Sequence, residues 1–302
     1  MLCPPRIRVY PGTATVYVDA ANGVDTNDGT CAYSASNPPG VGPVWSLQLA
    51  VDMASANFDV GAPLQWGNTT ATWVAYRPGV NVQMAPAPAA SPYILNSPLI
   101  LDGLSGSHPV YLLGDTSGVL ANAANYNVYA NTPNEQGISP QNGGVLICQG
   151  FSMLAAPGCT IFNPLQEGKL ALNNVRAGCS NSGLTAFGAA GGSHLDFIGV
   201  CSVYGIGWEY LVFANEGSQI TMPFTLQFEN RVAASGAFLA CVDAGSLIDA
   251  GPGTMVFGET AAGYVAASTG IQAILGRYGI IMRNGGTIPG SGVTNDGTGL
   301  LV

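Results

Sequence analysis

Lysine is almost missing from this sequence: Lys169 stands alone, and only eight basic residues face seventeen acidic ones, for a formal charge of −9. Nucleic-acid binding needs clustered Lys and Arg to neutralise phosphates, and beyond Arg6 and Arg8 no such cluster exists, so nucleic acid is excluded as a partner. Charged residues of all kinds make up only 8%. Charged helix formers are therefore scarce, and a helical repeat protein is disfavoured. Despite a mean hydropathy of +0.29, no uninterrupted apolar run approaches the roughly 20 residues of a membrane helix, so membrane insertion is not expected. MLCPPRIRVY has no apolar core after its arginines, so it does not read as a secretory signal. Seven cysteines, an odd number without CxxC spacing, are expected to be buried small apolar residues ahead of zinc ligands or a disulfide framework.

What is abundant is glycine, with 42 residues, and apolar side chains, at 47%. The segments GKLALNNV, GSHLDFIGV, GSQITMPF, GSLIDAGPG and GIQAILGRY begin at Gly168, Gly192, Gly217, Gly245 and Gly270, a nearly even recurrence. After each glycine apolar residues alternate: Leu170 and Leu172, Leu195 and Phe197, Ile220 and Met222, Ile248 and Ala250, Ala273 and Leu275. That is the period of a strand with one face buried. Short apolar pieces, such as 210–213, 238–242, 254–257 and 263–267, fill the intervals. Self-similarity at this length signals a solenoid, and the absence of an L-x-x-L-x-L frame leaves the parallel β-helix, with coils about 4.8 Å apart. The expected fold is all-β, a right-handed parallel β-helix with a short N-terminal capping helix.

The organisation follows. Residues 1–14 read as an extended arm; 15–96 as an entry strand, capping helix and first irregular coils; 97–286 as β-helix coils; and 287–302 as a glycine-rich C-terminal cap. PVWSLQLAVDMASAN, residues 43–57, carries Leu47, Ala50, Val51 and Ala54 at helical spacing, with Ser46 at its start. A solenoid exposes strand edges at its ends, and this helix is placed to cover one of them.

TVYVDAANGVDTNDGT, residues 15–30, holds three aspartates. As a calcium loop it fails: counted from Asp25 the glycine comes fifth, and position twelve is Ser36, without a carboxylate. Asn22-Gly23 and Asp28-Gly29 read as turns instead.

Together with WSLQLAVDMASA, the stretch YVDAANGVDTNDGT resembles the entry segment of right-handed parallel β-helix proteins of the pectate-lyase-like superfamily. The run GSLIDAGPGTMVFGETAAGYVAASTGIQAILGRYGIIMRNGG resembles β-helix proteins of bacteriophage and prophage virions, of the tailspike or head-spike kind. The resemblance covers about a third of the chain. It implies a virion structural appendage (tail spike, head spike or fibre) made in the host cytoplasm, used for decoration or host attachment, assembled as a homotrimer, and contacting other virion proteins through the N-terminal arm.

Function resides in sites rather than in the fold. For a polysaccharide depolymerase using two carboxylates, Asp196 and Asp249 fall at the same outward offset with Thr221 on the rung between; Glu209, Glu216 and Glu229 are further candidates. Outward positions of a strand are also simply polar and solvated, and no catalytic residue is assigned from this spacing alone. Lyase chemistry is disfavoured because Arg176 and Arg231 lack an adjacent acidic cluster. His108 and His194 have no nucleophile motif beside them, and Gly276, Gly279 and Gly285-Gly286 do not make a phosphate loop. Tyr204, Trp208 and Tyr210 are candidate platforms for sugar rings of a host-surface polysaccharide, with core or interface packing as the alternative use. A bacterial β-helix adhesin is a third reading. No cofactor or metal is expected.

Overall fold

The computed structural model describes residues 7–8, 14–56, 58–59, 79–103, 108–179, 183–224, 226–243, 245–250, 255–257, 271–276, 278–282, 293–295 and 297–302. The chain winds as a parallel β-helix with three faces. The first face is a ladder of ten parallel strands: Thr15–Val18, Val80–Met84, Val110–Leu113, Val145–Gln149, Lys169–Asn173, His194–Phe197, Gln219–Met222, Leu247–Ala250, Ile280–Met282 and Leu300–Leu301. The expected boundary at residue 97 is a turn between Tyr93–Leu95 on the second face and Leu99–Asp102 on the third. The all-β parallel β-helix with a short N-terminal helix is the fold expected from sequence.

The second and third faces are separate strands in the early coils and fuse later. Cys201–Ala214 and Leu226–Val242 each run through both faces as one long bent strand, joining them into a single 13-stranded sheet. The bend in Cys201–Ala214 lies where the register slips between Tyr204 and Tyr210. Gly205 and Gly207 there have φ of 95° and 99°, a backbone that side-chain-bearing residues rarely adopt.

The alternation read from sequence is the burial pattern. Leu170, Leu195, Ile220, Ile248 and Ile281 form one inward column of the first face, each at most 1% exposed. Inside, Phe151, Phe162, Phe187 and Phe197 make a chain of ring contacts at centroid distances of 6.3, 5.8 and 4.9 Å. Five cysteines (Cys148, Cys159, Cys179, Cys201 and Cys241) are free and buried in this core.

The Gly-Ser pairs of the repeat have a physical reason. The corner before the first face turns through left-handed backbone at Gly192, Gly217 and Gly245, and the following Ser193, Ser218 and Ser246 are fully buried. Ser218 Oγ accepts from the Ser193 N–H at 3.2 Å, and Ser246 Oγ from the Gly217 N–H at 3.0 Å. The hydroxyls thus satisfy corner amides that the strand ladders leave over.

The fifth repeat differs from expectation. The strand Ile271–Gly276, which includes Ala273 and Leu275, pairs with Leu226–Val242 on the third face, and the next first-face strand is Ile280–Met282. Leu247 and Ile280 share a column, so this coil is longer than those before it. Glycine followed by alternating apolar residues marks a corner of this solenoid without saying which corner. Of the shorter pieces, Met255–Phe257 is a strand pairing with Leu226–Val242, whereas 263–267 lies outside the described residues.

At the N-terminus, the helix Leu47–Ala56 buries Leu47, Ala50, Val51 and Ala54, and Ser46 Oγ accepts from the Leu49 N–H at 3.3 Å. His108 Nε2 donates to the Ala54 carbonyl at 2.8 Å. Within the expected arm, Ile7–Arg8 pairs in parallel with Phe58–Asp59; apart from Ala14, the rest of 1–14 lies outside the described residues. At the other end, Val293–Asn295 extends the third face and Leu300–Leu301 the first, while 287–292 lies outside the described residues.

The opening aspartates bind backbone amides, locally at Asp19 and Asp28 and across to the start of the helix at Asp25. Asp19 Oδ1 accepts from the amides of Ala21 and Asn22, Asp25 Oδ1 from those of Trp45 and Ser46, and Asp28 Oδ1 from those of Thr30 and Gly42. Stretch 15–30 is therefore the entry to the solenoid, supplying its first strand and the anchors of its cap.

Candidate functional site

The outer side of the first face carries a band of ionisable side chains. In one outward column stand Tyr111, Ile147, Ala171, Asp196, Thr221, Asp249 and Met282; in the next, Val145, Lys169, His194, Gln219, Leu247, Ile280 and Leu300. The two columns are apolar at both ends and polar in the middle. Lys169, His194, Asp196 and Asp249 are brought to that middle by successive coils of the solenoid.

Asp196 and Asp249 lie in one column with Thr221 between them, the arrangement read from the repeat. Two strand spacings put their main chains about 9.6 Å apart, near the upper end of the roughly 6.5–9.5 Å carboxyl separation of inverting glycosidases. Burial pushes the Asp196 carboxyl above the usual carboxylate range, against the opposing pull of a Thr221 hydrogen bond and the nearby His194 and Lys169. Burial likewise lowers the His194 imidazole, with Asp196 acting in the opposite direction and Lys169 in the same one. A carboxyl that resists ionisation is the type that serves as a general acid.

A second polar cluster, on the outside of the second face, was not foreseen as a unit. Arg176, Ser202 and Gln227 form one column, and Gly178, Tyr204 and Glu229 the neighbouring one. Arg176 reaches past Ser202 to Glu229: its Nε lies 2.9 Å from Oε1, its Nη2 contacts Oε2, and the Ser202 hydroxyl donates to Oε1. Burial alone would raise the Glu229 carboxyl, but the Arg176 and Ser202 hydrogen bonds and the Arg176 charge outweigh it and hold it below its ordinary value. Glu229 is thus kept ionised and paired, which does not suit a general acid. Arg176 has an acidic neighbour after all, one carboxylate in a bidentate pair rather than a cluster of metal ligands. The side chain of Arg231 lies outside the described residues.

The aromatic candidates separate. Tyr204 lies across the second face, over Gly178, where an added Cβ would sit 2.0 Å from the ring. Its hydroxyl is 3.2 Å from Ser152 Oγ, and the Arg176 guanidinium stands 5.2 Å from its ring centroid. Trp208 is fully buried, with its indole N–H donating to the Tyr204 carbonyl at 3.2 Å; as a surface sugar platform it is corrected to a core residue, because the Gly205–Gly207 bend turns it inward. Tyr210 is half-buried and its ring lies 5.2 Å from that of Phe213. Glu216 is exposed at a left-handed corner, φ 53°. Burial, then the charge of neighbouring Glu209, pushes the Tyr210 hydroxyl up.

A third place was missed from sequence. Beside the capping helix lies a cavity of about 520 Å³ lined by Trp45, Ser46, Gln48, Ser91, Ile94 and Asn96, among others. Its lining comes chiefly from residues 45–48 and 90–97, segments far apart in sequence that only the coil brings together. Among the described residues, no group of three or more His, Cys, Asp or Glu side chains is placed to hold a metal ion, and no helix is long and apolar enough to cross a membrane. No protein-family model, no curated protein and no solved structure matches the chain.

Proposed function

We propose that this protein is a bacteriophage virion appendage (a tail spike, head spike or fibre) serving decoration or attachment to a host surface. The observation that supports the reading is the ten-strand first-face ladder from Thr15–Val18 to Leu300–Leu301. It makes a rigid rod from a chain with only 8% charged residues, and the virion resemblance of the sequence points the same way. In this reading the apolar outer column Leu247, Ile280 and Leu300, with Leu300 54% exposed, is a lateral contact between chains of a homotrimer. Immuno-electron microscopy of phage particles released from the source strain tests it. Antibody label at a fixed place on the particle is the expected result, and particles lacking the protein overturn it.

A second reading, a polysaccharide depolymerase, is favoured by one observation: Asp196, with its raised carboxyl pKa, shares an outer column with Asp249. In that reading Asp196 protonates the leaving glycosidic oxygen and Asp249 activates water from the opposite side. Oligosaccharide release from host-surface polysaccharide, abolished by Asp196→Asn or Asp249→Asn, is its test. No release by the folded wild-type protein from the true host's polysaccharide leaves attachment or structure alone.

A further inference from the structure

From the cavity beside the capping helix, we infer that the protein has a binding site for a neutral saccharide, with Trp45 as the platform on which a sugar ring stacks. The inference stands on this cavity alone and does not depend on the virion reading.

Trp45 is 50% exposed, yet it is held at both ends. Its backbone N–H donates to Asp25 Oδ1 at 2.9 Å and its indole N–H to the Ala20 carbonyl at 3.1 Å. A large aromatic ring with its only polar group satisfied inside the protein has an apolar face left for a ligand, and being already ordered it loses little conformational entropy on binding. Ile94, also 50% exposed, lines the same cavity.

The rest of the lining is polar and uncharged. Ser91, Asn96 and Ser97 contribute hydroxyl and amide groups. The Asn96 amide oxygen accepts from Asn131 Nδ2 at 3.0 Å, which orients its N–H groups as donors for a ligand. Gln48 is pinned by the Ile100 amide at 2.8 Å, the Ile100 carbonyl at 2.8 Å and Asp52 at 2.7 Å, so the helix side of the cavity is preformed. The volume of about 520 Å³ falls in the usual range of small-molecule pockets, roughly 300–1,000 Å³.

Charge sets the class of ligand. None of the lining residues carries a formal charge at neutral pH, and the carboxylates bonded to them, Asp25 and Asp52, are negative, so an anionic ligand would lose hydration without gaining a counter-ion. A neutral sugar presents an apolar ring face to Trp45 and Ile94 and hydroxyls to Ser91, Asn96 and Ser97, matching both kinds of wall.

The experiment is a screen of the full-length protein on a glycan array of neutral and acidic oligosaccharides, followed by calorimetric titration with the best binder. Expected is binding of neutral oligosaccharides, weakened at least tenfold in Trp45→Ala and kept within about threefold in Trp45→Phe, with circular dichroism of each variant unchanged. Asn96→Ala, on an exposed turn, weakens binding without disturbing the stacked ring and serves as the second variant. Absence of binding to any neutral glycan, preference for acidic ones, or full binding by a folded Trp45→Ala protein each overturns the inference.

Discussion

Asp196 and Asp249 occupy the same outward column of the first face, separated in space by the one rung that carries Thr221. The pairing is a consequence of coil length: two consecutive turns, from Asp196 to Thr221 and from Thr221 to Asp249, return the chain to one register position. Asp196 is largely desolvated, and burial pushes its carboxyl up against the opposing pull of a Thr221 hydrogen bond.

Asp196→Asn tests that desolvation through stability. The folded-state pKa of Asp196 is raised, so folding opposes its ionisation, and the penalty grows as pH rises from the unfolded value of 3.8 through the folded one. The variant is expected to raise the thermal midpoint at pH 7 and to leave it nearly unchanged at pH 3.5, where both states are largely protonated. Thermal melts of the two proteins at both pH values check this, and a lower midpoint for the variant at pH 7 contradicts it.

Glu229 has the opposite sign. Its folded pKa is depressed, so its contribution is complete above the unfolded value of 4.5 and is lost as pH falls through the folded value. Arg176→Ala removes the partner from a half-buried carboxylate and is expected to cost about 1–3 kcal/mol at pH 7, with a smaller difference below pH 3. Urea unfolding of wild type and variant at the two pH values measures both.

Ser218→Ala probes the corner ladder. It removes the buried hydroxyl that accepts from the Ser193 N–H and is expected to cost about 1–2 kcal/mol. Chemical denaturation reads the loss. Hydrogen exchange locates it, with faster exchange at Ser193 and little change at the capping helix.

The core thiols are expected to be inert. Burial pushes Cys159, Cys179 and Cys241 up to about 11 and Cys201 up to about 12, which keeps them protonated and shielded. In a Cys3→Ser chain, a thiol reagent at pH 8 should label Cys31 quickly and the five buried cysteines only after unfolding. Rapid labelling of more than one thiol in the native protein would show that the core is more open than this.

Much of the fold was legible along the chain because a solenoid repeats a local instruction. Glycine or Gly-Ser followed by alternating apolar residues states a corner and a strand, and at Gly168, Gly192, Gly217 and Gly245 it gave the correct face. The same signal misplaced Ile271–Gly276, since every face of the prism uses alternation. The aligned carboxylates were readable because they follow the repeat count. The Arg176–Glu229 pair was not, because it crosses two coils and two adjacent columns.

The sequence by itself determined the strand periodicity, the glycine corners, the capping helix and the inward-facing positions, all of which depend on side chains within a few residues of one another. Only the tertiary structure decided what surrounds each outward or corner residue: that Trp208 turns into the core, that Tyr204 lies across Gly178, that Asp196 is desolvated, and that Trp45 faces a cavity shared with residues 90–97. The physical reason is that local conformational preference sets where a strand or corner forms, whereas burial, pKa and cavity shape are set by neighbours one coil away, whose identity depends on the length of every turn between.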